Sequence, residues 1–314
     1  FSLGSEFNVG IAYLQTATNK FGGEWRAQLD LGERQGVSVD WFQPLGYGAE
    51  YFVEAEALVQ RRDFRFFGET TASADLRVEG WGANLSIGKE IGVSGEFRAG
   101  WNRFVGDANV TVGALDTFNN SIEIGEFYSA LTYDRLDSTS FPKDGSRASL
   151  QAFWPRESAG ANIDFEQVRA ALFTARSWGE NSVVARIEAG STQGAEAPLQ
   201  NQFLLGGLGR LSGFPTNRFA GQHYALGSVT AYRRLHRSRL APWYAGLSVE
   251  AGNVSDSGSL ADIDSVLFAG ALYLGAETPL GPFYVAWGWA EGGENTIYLY
   301  LGNPFVSGGA RALD

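Results

Sequence analysis

The 314-residue sequence contains no cysteine, no methionine and only two histidines. The absence of cysteine excludes a disulfide framework and any thiolate metal site. The sequence also lacks a long apolar run, because the longest one, from Val266 to Ala276, is interrupted by Gly270 and Gly275. A transmembrane helix needs about 20 predominantly apolar residues, so the sequence excludes such a helix.

Basic residues are scarce as well, since 24 Lys and Arg stand against 35 Asp and Glu and give a net charge of −11. The nearest approach to a basic patch is one short cluster, which consists of Arg233, Arg234, Arg237 and Arg239. A nucleic-acid-binding surface needs a basic face or stripe, so we expect no nucleic-acid partner. Neither an initiator methionine nor a signal peptide opens the sequence, and we therefore expect Phe1 to begin a fragment or a matured product.

The motifs of common enzymes are missing too. No G-x-S-x-G nucleophile motif occurs; Ser248 follows Gly246 but is itself followed by Glu250 in place of the second glycine. His223 and His236 are too far apart for an H-x-x-x-H metal site, and we expect histidines at such loop edges to be solvated. We therefore expect no catalytic residue, no cofactor and no bound metal in this chain.

What the sequence does contain is aromatic residues, glycine and a recurring two-residue alternation. It has 22 Phe, 12 Tyr, 9 Trp and 41 Gly. In one typical segment, Tyr51, Val53 and Ala55 alternate with Phe52 and Glu54, and similar segments of about 8–12 residues recur between turn signals. A charge facing hydrocarbon would cost about 2–4 kcal/mol at the membrane midplane. The charged faces are therefore predicted to line a lumen and the apolar faces to meet lipid.

The last alternating segment has the same pattern and ends in an aromatic residue. Its apolar face is formed by Ile297, Leu299, Leu301 and Phe305, while Tyr298 and Tyr300 lie on the other face. The closing strand of a membrane barrel needs such an outer face, because it must pair with the first strand while meeting lipid. The polar, glycine-rich residues 306–314 that follow are predicted to form a disordered tail.

These patterns predict an all-β protein, a transmembrane barrel of about 16 antiparallel strands, with residues 1–305 as one domain. A soluble array of β-sandwiches is the alternative. If the first strand, near residues 7–16, rises from the periplasm, the connections around 137–146, 206–222 and 253–264 are extracellular. The connection around 206–222 is long and rich in glycine, so we expect it to be a functional loop.

Several motifs together carry a family resemblance. In chain order they are F-P-K-D-G at 141–145, L-G-G-L-G-R-L-S-G-F at 205–214, S-V-E-A-G-N-V at 248–254, T-P-L-G-P at 278–282, and the terminal Phe305. The ordered set resembles the superfamily of outer-membrane insertases and secretion pores, which includes the Bam and Tam assembly factors and the two-partner secretion transporters. The resemblance implies a location in the outer membrane of a Gram-negative bacterium, among its lipids and lipopolysaccharide, and a last strand recognised by the outer-membrane assembly machinery.

The resemblance also implies that the long loop folds back into the lumen. The loop tip in this family usually reads Val/Ile-Arg-Gly-Phe/Tyr, and its Arg contacts an acidic residue of the barrel wall. Here the tip is L-S-G-F at 211–214, in which Gly213 and Phe214 match but Ser212 replaces the Arg. The acidic wall position corresponds to Glu250. The ion pair is then lost or is made by Arg210 or Arg218; alternatively, both arginines are solvated loop charges.

The variant L-S-G-F after G-G-x-x-R is most similar to the barrels of patatin-like autotransporters of the type V secretion group. This similarity implies a translocator that anchors or secretes a fused N-terminal patatin-like phospholipase passenger. The passenger and a periplasmic POTRA domain would both precede the barrel, so the enzyme would lie outside this chain. A Bam- or Tam-type insertase and a passive porin are the alternatives. Gly10 in the first strand, with Gly302 and Pro304 at the end of the last, predicts weak pairing between them. We therefore expect this seam to open, or to exchange strands with a second copy in a homodimer.

Overall fold

The alternating segments form the strands of one closed sheet in the computed structural model, which describes residues 2–32, 34–48, 50–67, 73–112, 121–236, 241–256 and 265–302. The barrel strands are β1 Ser2–Gln15, β2 Glu24–Gly32, β3 Arg34–Pro44, β4 Tyr51–Phe67, β5 Ser73–Ile91, β6 Gly95–Val112, β7 Ser121–Asp134, β8 Gly145–Pro155, β9 Phe165–Trp178, β10 Asn181–Gly194, β13 His223–His236, β14 Trp243–Ser255, β15 Leu267–Thr278, β16 Gly281–Ala290 and β17 Asn295–Leu301. Two short strands, β11 Phe203–Leu205 and β12 Phe219–Gly221, pair with each other inside the connection from β10 to β13.

Within the residues that the structure describes, helical structure is limited to three single turns of 3-10 helix, Glu157–Ala159, Leu199–Asn201 and Glu291–Gly293. Over the described ranges, no helix has the length and hydropathy needed to cross a membrane. Phe305 and the predicted tail 306–314 lie outside the described residues.

Among the described residues, 15 strands close the barrel, which confirms the predicted all-β barrel to within one strand of the expected number. Each strand pairs antiparallel with its neighbours along the chain, and β10 pairs with β13 across the long loop. The exception is the seam, where β1 and β17 are parallel over the six pairs from Ser2↔Thr296 to Phe7↔Leu301. An odd number of strands requires one parallel pair, because each antiparallel neighbour reverses the direction.

Strand parity also decides which connections share an end of the barrel. The connection 195–222 follows β10, and β14 ends at Ser255 at the same end of the barrel, which we call the loop end. The turn 135–144 follows β7 and lies at the opposite end, where β17 finishes at Leu301; we call this the Leu301 end. The prediction that the connections near 137–146 and 206–222 lie at the same end of the barrel was therefore wrong, because an odd number of strands, β8, β9 and β10, separates the two.

The two faces of the barrel differ as the alternation predicts. Outward side chains near the middle of the strands are apolar and exposed, as in Leu29 at 43%, Leu85 at 54%, Leu150 at 50% and Leu272 at 48%. Inward side chains include ion pairs such as Arg98 with Glu54, whose closest N–O distance is 2.5 Å. An apolar exterior around a polar interior is the arrangement that hydrocarbon surroundings favour.

The wall has uneven height. Strands β4, β5 and β6 contain 17, 19 and 18 residues, whereas β17 contains 7. At the loop end, the inner face of these long strands is apolar and includes Leu76, Val78 and Phe104, which are at most 5% exposed. These side chains form one cluster with Leu204 of the long loop, and Leu199 and Ala220 pack against it. One side of the long loop therefore packs against the tallest part of the barrel wall.

Candidate functional site: the loop seated in the lumen

The connection 195–222 folds into the barrel, as predicted, and is buried along most of its length. Strand β11 is fully buried, with Phe203 and Leu205 at 0% exposure, and its partner β12 is half-buried. The flank opposite the tall wall packs on β13, β15 and β16 through a second cluster, which consists of Phe203, Leu205, Leu211, Phe214, Tyr224, Leu226, Ala269 and Ala290. Contacts on two sides of the lumen hold the loop, so this loop closes off the part of the lumen between them.

The tip is a pair of consecutive tight turns. The N–H of Arg210 donates to the carbonyl of Gly207 at 2.9 Å, and the N–H of Phe214 donates to the carbonyl of Leu211 at 3.0 Å. Leu211 has a φ of +75°, a region that costs an ordinary residue about 1–2 kcal/mol. Its side chain is 0% exposed, so this strained residue is also fully buried.

Glu250, on the inner face of β14, binds the tip entirely through neutral donors. Its carboxylate accepts hydrogen bonds from the N–H of Leu211 at 2.7 Å and from the N–H of Ser212 at 2.6 Å. The hydroxyls of Ser212 and Ser248 donate to the other oxygen at 2.6 and 2.5 Å. Four donors satisfy this carboxylate, which is 3% exposed, in the way that backbone nests satisfy bound anions.

Arg210 forms its ion pair with a different carboxylate from the one that the sequence suggested. Its Nη1 lies 2.5 Å from Oε2 of Glu188 on β10, and its Nη2 donates to the carbonyl of Leu204 at 3.0 Å. Glu188 also binds Arg186 on its own strand. Burial lowers the pKa of the Arg210 guanidinium, but attraction to Glu188 outweighs burial and holds this pKa above its usual range. Arg218 lies over the ring of Phe219, with 5.5 Å from its Cζ to the ring centre.

The inner face of the last strand holds the carbonyl groups of the tip. The hydroxyl of Tyr298 donates to the carbonyl oxygens of Ser212 and Phe214 at 2.8 and 2.6 Å. The hydroxyl of Thr296 donates to the carbonyl of Gly213 at 2.9 Å. The strand that closes the barrel against β1 is thus also the strand that anchors the loop tip.

A notch of small residues on β16 lets the tip approach the wall closely. A Cβ atom added to Gly288 would lie 1.8 Å from the carbonyl oxygen of Ser212, and one added to Gly213 would lie 2.2 Å from the backbone nitrogen of Ala290. Both distances are far inside van der Waals contact, so a seated tip requires glycine at both positions.

This arrangement, a closed barrel with a loop tip fixed inside it by an inward glutamate, agrees with the family comparison. A model described as the Omp85 superfamily domain matches residues 19–305. The chain belongs to the Omp85 superfamily. It is an integral β-barrel of the outer membrane of a Gram-negative bacterium, as Omp85 barrels are.

Solved structures place this Omp85 barrel beside two kinds of protein. It is similar to BamA from Haemophilus ducreyi lacking POTRA domains 1–3, with a TM-score of 0.70 and 13% identity, covering 93% of this chain and 68% of that one. It is similar to CdiB from Escherichia coli, with a TM-score of 0.62 and 12% identity, covering 92% of this chain and 58% of that one. For CdiB from Acinetobacter baumannii the values are 0.55, 10%, 92% and 56%. At these identities the likeness establishes the fold alone. A search of curated protein sequences found no match.

The remaining predicted site residues of this Omp85 barrel lie as follows. Ile297 and Leu299 point outward and are 42% and 47% exposed, and Leu301 ends β17. Phe214 is 8% exposed and packs edge-on against Phe219, with ring centres 4.9 Å apart. His223 differs from the expected solvated histidine, because it is 4% exposed and its Nδ1 lies 2.9 Å from the hydroxyl oxygen of Ser191.

Sequence reasoning missed several partners of the tip. Arg186 and Glu188 are two residues apart on β10 and therefore lie on the same face of the strand. This charged pair indicated an inward acidic position, but the sequence did not show that the position would contact the loop. Tyr298 was placed correctly on the inner face by its parity, but nothing in the sequence indicated that it would contact the tip. In the part of the chain that the structure describes, no group of three or more His, Asp and Glu side chains is arranged to hold a metal ion.

Proposed function

We propose that this Omp85 barrel is the translocator of an autotransporter, which anchors and secretes a patatin-like phospholipase passenger fused to its N-terminus through a POTRA domain. The observation that carries the transport proposal is that β17 both closes the seam and holds the loop tip through Thr296 and Tyr298. A movement of β17 away from β1 would therefore also move the loop that fills the lumen. The chain itself would catalyse no reaction and would act through this movement.

The passenger is proposed from the tip sequence. The sequence L-S-G-F after G-G-x-x-R resembles that of patatin-like autotransporters. The tip geometry explains how a tip with this sequence binds to the barrel wall. The N–H and the hydroxyl of Ser212 donate hydrogen bonds to Glu250, and Arg210 forms an ion pair with Glu188. The tip therefore stays bound without an Arg at position 212.

The seam supports the proposed movement. Its six pairs are parallel, and a parallel ladder is slightly less stable per residue than an antiparallel one. The neighbouring strands β16 and β17 pair antiparallel from Phe283↔Leu301 to Trp289↔Asn295. Because β1 and β17 run in the same direction, one strand added between them would be antiparallel to both. A strand of a second copy, in a homodimer, or of a client protein would therefore fit there.

A disulfide across the seam tests the transport role. Ser5→Cys with Leu299→Cys places two cysteines at registered positions of β1 and β17, in a chain that contains no cysteine of its own. Val285→Cys with Leu299→Cys is the matched control, because it joins the registered strands β16 and β17 beside the seam. We expect oxidation of the seam pair alone to reduce passenger display on the cell surface, measured by antibody binding before and after reduction. Equal display with the seam joined would refute the transport role.

The second candidate function is a Bam- or Tam-type insertase, which the weak parallel seam favours equally. The two candidates predict that different proteins are lost when this barrel is depleted from cells. A translocator leaves other outer-membrane barrels at normal levels and loses only its own passenger, whereas an insertase lowers the levels of its clients. Quantitative proteomics of outer membranes after depletion, together with a lipase assay on whole cells, separates the two. Large stable channels in planar bilayers with the loop intact would instead support the porin.

A further inference from the structure

The turn 135–144 also enters the barrel, from the end opposite to the long loop. Phe141 at its centre is 2% exposed and stacks on Tyr244, with ring centres 4.0 Å apart and planes 11° apart. It also stacks on Tyr284 at 5.1 Å. The hydroxyl of Tyr284 donates to the carbonyl of Ser140 at 3.1 Å, and that of Tyr232 donates to the carbonyl of Pro142. These contacts make the turn a second plug.

Hydrogen bonds within the turn stabilise its conformation. The carboxylate of Asp137 accepts hydrogen bonds from the N–H groups of Lys143 and Asp144 at 2.7 and 3.1 Å, which closes the turn into a compact loop. Opposite Phe141, β15 carries Gly275, where an added Cβ would lie 2.6 Å from the Phe141 ring. A glycine that admits the ring, and three tyrosines that surround it, define a socket for one aromatic side chain.

The two plugs meet in one apolar cluster. Phe141 of the turn and Leu208 of the long loop both belong to it, together with inward tyrosines of β13 to β17, namely Tyr232, Tyr244, Tyr273, Tyr284, Tyr298 and Tyr300. Tyr298 stacks on Tyr300, with ring centres 5.8 Å apart, and Tyr300 is the registered partner of Tyr284. Since Tyr298 holds the tip and Tyr284 holds the turn, the stacked pair Tyr298–Tyr300 and the registered pair Tyr284–Tyr300 form a row of tyrosines, within one cluster, that joins the two plugs.

We propose that the turn 135–144 is a second plug whose seating is coupled, through this tyrosine row, to the seating of the loop tip at the other end of the barrel. Packed interiors change between discrete arrangements, because a ring that leaves its socket opens a void that its neighbours cannot fill without moving. Removal of Phe141 would free Tyr284 and Tyr300 to shift, and Tyr298 with them. The tip would then open more often. This coupling does not depend on the identity of any passenger.

Cysteine labelling measures the coupling directly. Ser212→Cys introduces a single thiol at the buried tip, and its rate of reaction with a maleimide in isolated outer membranes reports how often the tip opens. We expect Phe141→Ala to raise this rate about tenfold, within the usual range for coupled sites. Phe52→Ala is the matched control, because Phe52 is 0% exposed at the same end of the barrel but packs on Phe42 and Arg98, away from both plugs.

The reciprocal experiment uses Ser140→Cys as the reporter of the turn and Tyr298→Phe as the change at the tip. Coupling requires that Tyr298→Phe also raise labelling at position 140, because linkage acts in both directions. If the labelling rate at position 212 is the same in Phe141→Ala and Phe52→Ala, whether raised or unchanged, the proposal is overturned. Gel mobility before and after heating verifies folding. If Phe141→Ala does not fold, Phe141→Leu and Tyr232→Phe serve instead, and unchanged labelling in both would equally overturn the coupling.

Discussion

Ser212 donates two hydrogen bonds of 2.6 Å to Glu250, one from its backbone N–H and one from its hydroxyl. The family pattern places an Arg at this position, where its charge meets the acidic wall residue. Here neutral donors satisfy that carboxylate, and the cation sits two residues earlier, on Arg210, which pairs with Glu188 on another strand. The tip therefore keeps both an anchored carboxylate and an ion pair, but on two separate wall residues.

Replacing Glu250 with Gln should loosen the tip. The neutral amide can keep its oxygen toward the N–H groups of Leu211 and Ser212, but its NH2 group then faces the hydroxyls of Ser212 and Ser248. The site also loses its charged acceptor, and hydrogen bonds to a charged group contribute about 1.5–3 kcal/mol each. We expect the urea midpoint for unfolding in lipid vesicles to fall, followed by tryptophan fluorescence. Glu157→Gln, at an exposed position in the short 3-10 helix Glu157–Ala159, should leave the midpoint unchanged. Identical midpoints for both variants would contradict the anchoring role.

Glu188→Gln should destabilise the barrel more than Arg210→Met. Loss of Arg210 leaves Glu188 paired with Arg186, whereas loss of Glu188 leaves two guanidinium groups buried together without a carboxylate between them. Breaking a buried ion pair from one side costs about 3–5 kcal/mol. Unfolding midpoints of the two single variants and of the double variant measure the order and the coupling. A larger loss for Arg210→Met would show that the two arginines do not share this carboxylate.

The fold could be predicted from the sequence because a membrane barrel has a simple alternating pattern. On β14, for example, Leu247 and Val249 face lipid and Glu250 faces the lumen, so parity alone placed Glu250 and Tyr298 inward and Ile297 outward. The parity of the whole barrel could not be predicted in the same way. One strand more or fewer reverses the end at which every later connection lies, and this is why the turn around Phe141 was placed at the wrong end.

The partners within the site were harder to predict than its residues. The wall around the tip carries more than one carboxylate, Glu188 on β10 and Glu250 on β14, and the depth of the tip decides which of them Arg210 meets. Arg210 reaches Glu188 because the paired turns at 207–214 direct it toward β10. The contact between Ser191 and His223 likewise depends on the pairing of β10 with β13 across the loop, which the sequence does not specify.

Tyr298→Phe should open the tip without disturbing the outer surface of β17. The change removes one hydroxyl that donates to two buried carbonyl groups, and a hydrogen bond of this kind contributes about 1 kcal/mol, with a further penalty for buried acceptors left unpaired. We expect a lower unfolding midpoint and a higher single-channel conductance in planar bilayers. Tyr13→Phe, at a side chain that is 68% exposed on β1, should alter neither quantity.

Gly288→Ala should expel the tip from its notch on β16. The new methyl group would lie 1.8 Å from the carbonyl oxygen of Ser212, which belongs to the backbone and cannot rotate away. The matched variant is Gly227→Ala on β13, where the nearest atom, the carbonyl oxygen of Ala251, lies 4.0 Å from the added carbon. We expect faster tryptic cleavage after Arg210 in Gly288→Ala, because a displaced tip exposes that bond, and wild-type cleavage in Gly227→Ala. Protection of Arg210 in both variants would mean that the tip does not require this close approach to β16.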